Sequence, residues 1–260
     1  MQLKMDGRGA IITGGSLGIG RAIATRFAEA GGNVAIIARR DTVLAEAKKA
    51  IEKAGGGKTK VVAISADISK PEDCRHVFMR AENELGHIDV LVNNAGSSKR
   101  GPFLEHSDEV WQADLDLKLF AAIRLTRLAL PGMRKRKWGR IINILNTGSK
   151  APPAEGSPTA VSRAAGLALT KVLAGENAPF NVLVNALLVG KIESDQWVRR
   201  ATSQNIPLSE VYADMGKSIP LGRVGTAQEF ANVACFLASD AGSYVTGAAI
   251  NVDGGLCPVA

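Results

Sequence analysis

Short apolar runs alternate with stretches of helical period along the whole chain. Ala10-Ile11-Ile12-Thr13 is a β-branched run too short for a helix and predicts a buried strand. Gly14, Gly18 and Gly20 then punctuate the chain before the helix-period segment Ala22–Ala30. The alternation recurs. Asn33–Ala38 predicts a second strand, residues 41–54 a helix stopped by Gly55-Gly56-Gly57, and Lys60–Ala66 a third strand. Pro71 opens a helix to Leu85, with Glu72 and Asp73 in the first turn, where the helix dipole favours them. Asp89–Val92, Gly139–Leu145, Asn181–Leu188 and Ala249–Val252 predict four further strands, and Ser157–Glu176 the helix before the sixth. Between the fourth and fifth strands, Ser107–Met133 is amphipathic, with Trp111, Leu115, Leu119, Ile123 and Leu130 on one helical face. The strands are apolar throughout and alternate with helices. They predict a single α/β domain over residues 1–260, a doubly wound parallel seven-stranded sheet with helices on both faces.

Composition narrows the function classes. With 260 residues, 46% hydrophobic and 22% charged, the chain can bury a sizeable core. No run approaches the roughly 20 apolar residues that cross a bilayer, and Met1–Asp6 carries no apolar targeting region, so a cytoplasmic protein without a membrane partner is expected. Cys74, Cys235 and Cys257 are too scattered for a disulfide framework or a metal site. The net charge of +7 is dispersed, and its densest cluster, Arg134-Lys135-Arg136-Lys137, falls where a helix should end and cations complement its dipole. Nucleic acid is not an expected partner.

Chemistry enters at the glycines. A strand, a glycine turn and a helix N-terminus let backbone approach a pyrophosphate closely and offer it unpaired N–H groups. The second strand ends in Arg39-Arg40, where an acidic residue would hold the ribose 2′-OH of NAD and a cation accommodates a 2′-phosphate. NADP(H) is therefore expected over NAD(H), with Arg39 the leading contact. The fourth strand runs into Asn93-Asn94-Ala95-Gly96, where an asparagine amide can tie strands together and small residues admit a ligand.

Thr13-Gly14-x-x-x-Gly18-x-Gly20 and the Asn-Asn-Ala-Gly tetrad together resemble the short-chain dehydrogenase/reductase family, over almost the whole chain. The resemblance implies a Rossmann fold with strand order 3-2-1-4-5-6-7, a lid at about 191–224 that Trp197, Tyr212 and Met215 can line, and a homo-oligomer, dimer or homotetramer, built on the long helix. It places nucleotide contacts at Gly14, Ser16, Gly18, Ile19, Gly20, Arg39, Arg40, Asp67, Ile68, Asn94, Ala95, Gly96, Arg163, Gly190 and Ile192, and no metal.

The family's proton chemistry uses a tyrosine, a lysine, a serine and an asparagine. The Tyr-x-x-x-Lys frame here reads Thr159-Ala160-Val161-Ser162-Arg163, the serine position falls on Asn146 beside Thr147, and the asparagine position, placed from Trp111, falls on Lys118. Pro-Gly after the sixth strand has become Val189-Gly190. A threonine hydroxyl is far too weak an acid for one neighbouring cation to tune toward neutrality, so Thr159 is not expected to inherit the tyrosine's proton-transfer role. Arg163 can hydrogen-bond ribose hydroxyls but keeps its proton. Lys118 either points into the pocket, where burial and Arg163 would lower its pKa and make it an acid, base or imine-forming nucleophile, or reaches back to solvent. Glu155 and Tyr212 are weaker proton carriers, and Tyr244 is read as structural.

Three functions stay open at this point. The first is an NADP(H)-dependent oxidoreductase of an unnamed carbonyl or alcohol with a non-standard proton relay. The second is a catalytically silent NADP(H)-binding protein or partner subunit. The third is a non-redox lyase or isomerase in which Lys118 and Arg163 handle an anionic substrate.

Overall fold

The computed structural model describes residues 3–259. Strand β1 (Gly9–Thr13) is buried along its whole length, so its side chains serve both faces of the sheet: Ala10 and Ile12 join one core, Ile11 the other. With β2 (Asn33–Ala38), β3 (Val61–Ser65), β4 (Val90–Asn93), β5 (Gly139–Asn146), β6 (Val182–Val189) and β7 (Ala249–Val252) it forms one parallel sheet in the order β3-β2-β1-β4-β5-β6-β7. This is the expected order, with strand ends moved by about one residue.

The helices are α1 (Gly18–Glu29), α2 (Asp41–Ala54), α3 (Pro71–Leu85), α4 (Asp108–Leu115), α5 (Ala121–Arg136), α6 (Thr159–Asn177), α7 (Asp195–Gln204), α8 (Leu208–Gly216) and α9 (Ala227–Ala238). Helices α1, α2 and α9 bury Ile23, Phe27, Leu44, Ile51 and Phe230 against one face of the sheet. Helices α3, α5 and α6 bury Phe78, Leu125, Met133 and Ala174 against the other. Because every strand is parallel, the strand C-termini lie along one edge, where ligands of such sheets bind. Helices α7 and α8 fall within the expected lid segment and share a small apolar cluster of Met215, Ile219 and Val224 with Trp197 and Tyr212.

The long amphipathic segment is not one regular helix. Asp116–Phe120 is a turn of π-helix between α4 and α5. Trp111, Leu115, Leu119, Ile123 and Leu130 are half-exposed, and the buried line is Asp114, Lys118, Ala122, Leu125, Ala129 and Met133. The buried line mixes small side chains and a charge pair with Leu125 and Met133, so its upstream half reads as polar in sequence, while Trp111, Leu115, Leu119 and Ile123 stay half-exposed.

A hydrogen-bond chain carries the Asn-Asn-Ala-Gly tetrad's position to α6. Asn93 Nδ2 donates to Asn143 Oδ1 at 2.8 Å, Asn143 Nδ2 to Thr170 Oγ1 at 2.9 Å, and Thr170 Oγ1 to the Gly166 carbonyl at 2.8 Å. As expected, the Asn93 amide ties β4 to β5; it also fixes α6, the helix that carries Thr159 and Arg163. No helix among the described residues is long and apolar enough to cross a membrane, and all three cysteines are unpaired.

Candidate active site

The glycine turn is built by exclusion of side chains. A Cβ on Gly20 would collide with the Gly14 carbonyl oxygen and Asn94 Nδ2, and one on Gly14, whose φ is +67°, would lie 2.9 Å from the same Nδ2. Thr13 and Asn94 close the turn: the Asn94 and Ala95 N–H groups donate to Thr13 Oγ1 at 2.9 and 3.0 Å, and Asn94 Nδ2 donates to the Thr13 carbonyl at 2.8 Å. Gly18, at φ +52°, instead faces space, with only Ser194 Cβ within reach. The N-terminus of α1 therefore opens onto a crevice, the arrangement a diphosphate fits.

Two adjoining cavities of about 420 and 760 Å³ form one trough, sharing Gly14, Arg40, Ala95, Gly96 and Ser97 in their walls. The smaller is bounded by Ser16, Arg39, Arg40, Asp67, Ile68 and Leu117. It suits an adenosine with a charged 2′-substituent, because Arg39 and Arg40 are exposed there and make no ion pair with a described residue. The Asp67 carboxylate is occupied locally, accepting from Ser69 N at 3.2 Å and Ser69 Oγ at 2.8 Å.

The larger cavity is bounded by Leu17, Gly18, Ile19, Gly20, Asn94, Asn146, Thr147, Thr159, Arg163, Gly190, Ser194 and the α7 face. Behind Thr159 lies a closed polar cluster. Lys118, at 6% exposure, does not reach solvent; its ammonium donates to Asp114 Oδ1 and to Thr159 Oγ1, the latter at 2.7 Å. Ser162 Oγ donates to the other Asp114 oxygen at 2.6 Å. Lys99 N–H also donates to Thr159 Oγ1, at 3.0 Å. Both lone pairs of that hydroxyl are thus engaged, so its own hydrogen must point onward, to Asp114 Oδ1 at a long 3.4 Å or into the cavity. Burial lowers the Lys118 pKa to about 8, with Arg163 and Arg100 adding to the fall and Asp114 opposing it. Arg163 donates to the Ile144 carbonyl at 2.6 Å and crowds Gly96, and burial brings its pKa down to about 10.

The family model described as enoyl-(acyl carrier protein) reductase matches residues 14–257. The chain belongs to the short-chain dehydrogenase/reductase family. It is 36% identical over 255 residues to oxidoreductase UcpA of Salmonella typhimurium, covering 97% of this chain and 95% of that one. Among solved structures, L-sorbose reductase of Gluconobacter frateurii, complexed with NADPH and L-sorbose, superposes with a TM-score of 0.94 at 31% identity over the whole of both chains. An NADPH-bound short-chain oxidoreductase of Pseudomonas aeruginosa PAO1, which contains an atypical catalytic center, superposes at 0.89 with 35% identity, covering 96% of this chain and 97% of that one.

All of the residues expected to contact the nucleotide line the trough except one. Ile192 is buried in the core against α9 rather than in the trough wall; its bridge to Gly225 turns it inward. At the catalytic end Lys118, Thr159 and Arg163 converge, while Asn146 and Thr147 also line the cavity, the Asn146 Oδ1 buried without a partner. The other proton carriers fall away. Glu155 is exposed on its loop, and Tyr212 packs into the α7–α8 cluster, where burial raises its pKa. Tyr244 is fully exposed and packs against nothing in this chain. Two groups were missed in sequence. Asp114 looks like an ordinary surface charge until its spacing of four from Lys118 is noticed, and Ser194 caps α7 by position, its Cβ near Gly18 and its hydroxyl buried without a partner.

Proposed function

We propose that this protein is an NADP(H)-dependent oxidoreductase that interconverts a small carbonyl compound and its alcohol, with Lys118 and Thr159 together replacing the family's tyrosine. The observation that carries this reading is the 2.7 Å contact between the Lys118 ammonium and a Thr159 hydroxyl on the cavity wall. The glycine turn and the N-terminus of α1 would hold the diphosphate, Arg39 and Arg40 the 2′-phosphate, and Arg163 the nicotinamide ribose. When bound, the nicotinamide supplies or accepts the hydride.

In reduction, Thr159 gives its proton to the substrate oxygen while taking one from Lys118, so no free threonine alkoxide forms and the hydroxyl's weak acidity ceases to matter. Lys118 is left as a neutral amine and regains a proton from water; in oxidation the path reverses. Asp114 keeps the ammonium aimed at Thr159, and Ser162 keeps Asp114 aimed at Lys118. The Asn146 amide has spare hydrogen-bonding capacity with which to orient the substrate. Residues 191–224 act as the lid within a single domain, and the half-exposed stripe from Trp111 to Leu130 is covered by a second copy in a dimer or tetramer. Three unpaired cysteines suit a reducing, cytoplasmic setting.

The test is a fluorescence titration with NADPH and NADH, followed by a carbonyl panel read at the nicotinamide band. Thr159→Val and Lys118→Met should each lower kcat by about 10²–10⁴, the usual worth of a general acid, with NADPH affinity preserved. Tight NADPH binding with no turnover across a broad panel would favour a silent binding protein instead.

A further inference from the structure

Five cations line the larger cavity, Arg40, Arg100, Arg163, Lys191 and Arg199, against a single carboxylate, Asp195. Most are committed. Arg40 also borders the nucleotide end, Arg163 donates to Ile144, and the Lys191 ammonium donates to Ser218 Oγ at 2.5 Å and the Met215 carbonyl at 3.4 Å. Arg199 lies on α7, the helix whose cap faces Gly18 and the diphosphate end. Arg40, Arg199 and Arg100 are all exposed and make no ion pair with any described residue, and of the three Arg100 is the one beside the relay: it pairs antiparallel with Pro158, immediately before Thr159. The Lys99 N–H beside it touches the Thr159 hydroxyl. Its backbone is thus anchored next to the relay, and its charge acts on Lys118.

The relay end holds three positive groups, Lys118, Arg163 and Arg100, against Asp114 alone. Closing that end over a neutral molecule would desolvate an uncompensated positive charge, whereas an anion offsets it and is concentrated by the field of the cleft. Resting on the redox reading above, we infer that the substrate is a short oxo acid or its hydroxy acid, with its carboxylate on Arg100 and its carbonyl oxygen on Thr159. The planar fork of arginine matches a carboxylate in two parallel hydrogen bonds, and the backbone link between Arg100 and Pro158 limits the substrate to a few bonds between its two polar ends.

The experiment compares small oxo acids with their methyl esters, matched in redox chemistry and differing in charge, on the NADPH-loaded protein. The acid should be preferred in kcat/KM by roughly 10- to 100-fold, the scale of one charge-assisted contact. The preference should collapse through KM in Arg100→Leu, return in part in Arg100→Lys, and weaken with added salt. Esters turned over as well as their acids, or a preference that survives Arg100→Leu, overturns the inference while leaving the redox reading intact. If NADPH binds but no carbonyl is reduced, the redox reading fails, and calorimetric titration of the NADP-loaded protein with the same acids and esters decides. Saturable binding of an acid that Arg100→Leu abolishes supports the carboxylate site; equal binding of the esters, or no acid binding, overturns it.

Discussion

Asp114→Asn isolates the charge behind the relay. The variant keeps the side-chain shape and one oxygen for the Lys118 ammonium but removes the charge that opposes burial, Arg163 and Arg100 in setting the Lys118 pKa. Its nitrogen cannot accept the hydrogen bond that Ser162 Oγ now makes at 2.6 Å. At contact distance and an effective dielectric of about 20, two unit charges attract by roughly 5 kcal/mol, of which the amide dipole returns a large part. A net loss of about 1.4–2.7 kcal/mol moves the Lys118 pKa from about 8 down by about one to two units. Reduction needs the ammonium, so its rate is high below this pKa and falls above it. At pH 7 the wild-type lysine is about nine-tenths charged, and the variant's roughly one-tenth to one-half. The assay is the pH profile of kcat for reduction at saturating NADPH. Its descending limb should move acidward by one to two units, with activity recovering near pH 5.5 and the oxidation profile shifting the same way. A descending limb still near the wild-type position, or activity lost equally at every pH in a folded, NADPH-binding variant, would refute the role given to Asp114.

Other perturbations report on other parts of the molecule. Arg39→Ala should weaken NADPH about 10- to 100-fold and leave NADH unchanged, since only the 2′-phosphate contact is lost; fluorescence titration checks this. Gly20→Ala drives a methyl group into the Gly14 carbonyl and Asn94 Nδ2; an overpacking cost of about 1–3 kcal/mol should lower Tm by about 3–10 °C in a thermal melt and abolish NADPH binding. Stability should also respond to alkali. Lys118 is charged in the unfolded chain up to about pH 10.5 but in the folded one only to about 8, so unfolding takes up a proton in between and stability rises with pH, by at most about 1.4 kcal/mol per unit. Above about pH 9 the Cys74 thiol, pushed up to about 11 by burial, acts in the opposite sense, because the unfolded thiol ionises first. The rise is therefore confined to about pH 8–9 and should vanish in Lys118→Met, as denaturant titrations at each pH would show.

The fold was legible because its signals are local. Runs such as Val34–Ile37 that are apolar on both faces belong to a covered parallel sheet, and Gly14 and Gly20 mark points of a turn that admit no side chain. Counting from landmarks singled out Lys118, Asn146, Thr159 and Arg163, which the fold gathers at one end of the trough. What Lys118 does was not legible. Its direction depends on Asp114 one turn earlier and on Thr159 and Ser162 more than forty residues later, contacts created only when α6 packs beside the π turn. The half-exposed stripe misled for a related reason, since an internal charge pair takes the upstream part of the buried line while Trp111, Leu115, Leu119 and Ile123 lie outside it. Tyr212 looks available as a proton carrier in sequence, but the fold packs it against the α7–α8 cluster and outside the cavity lining.

The wide turn at Asp116–Phe120 separates two mechanical demands on one rod. In a regular helix, any adjustment that aims the acid and amine at α6 would also spin the downstream barrel pressed on the sheet, because each residue advances the spiral by about 100°. One additional residue absorbed in the coil uncouples these orientations, so the upstream end can be tuned for chemistry while the downstream end stays seated. Deleting a single residue there would restore a continuous spiral, and the upstream end would have to rotate away from Thr159 or drag Leu125 and Met133 out of the core.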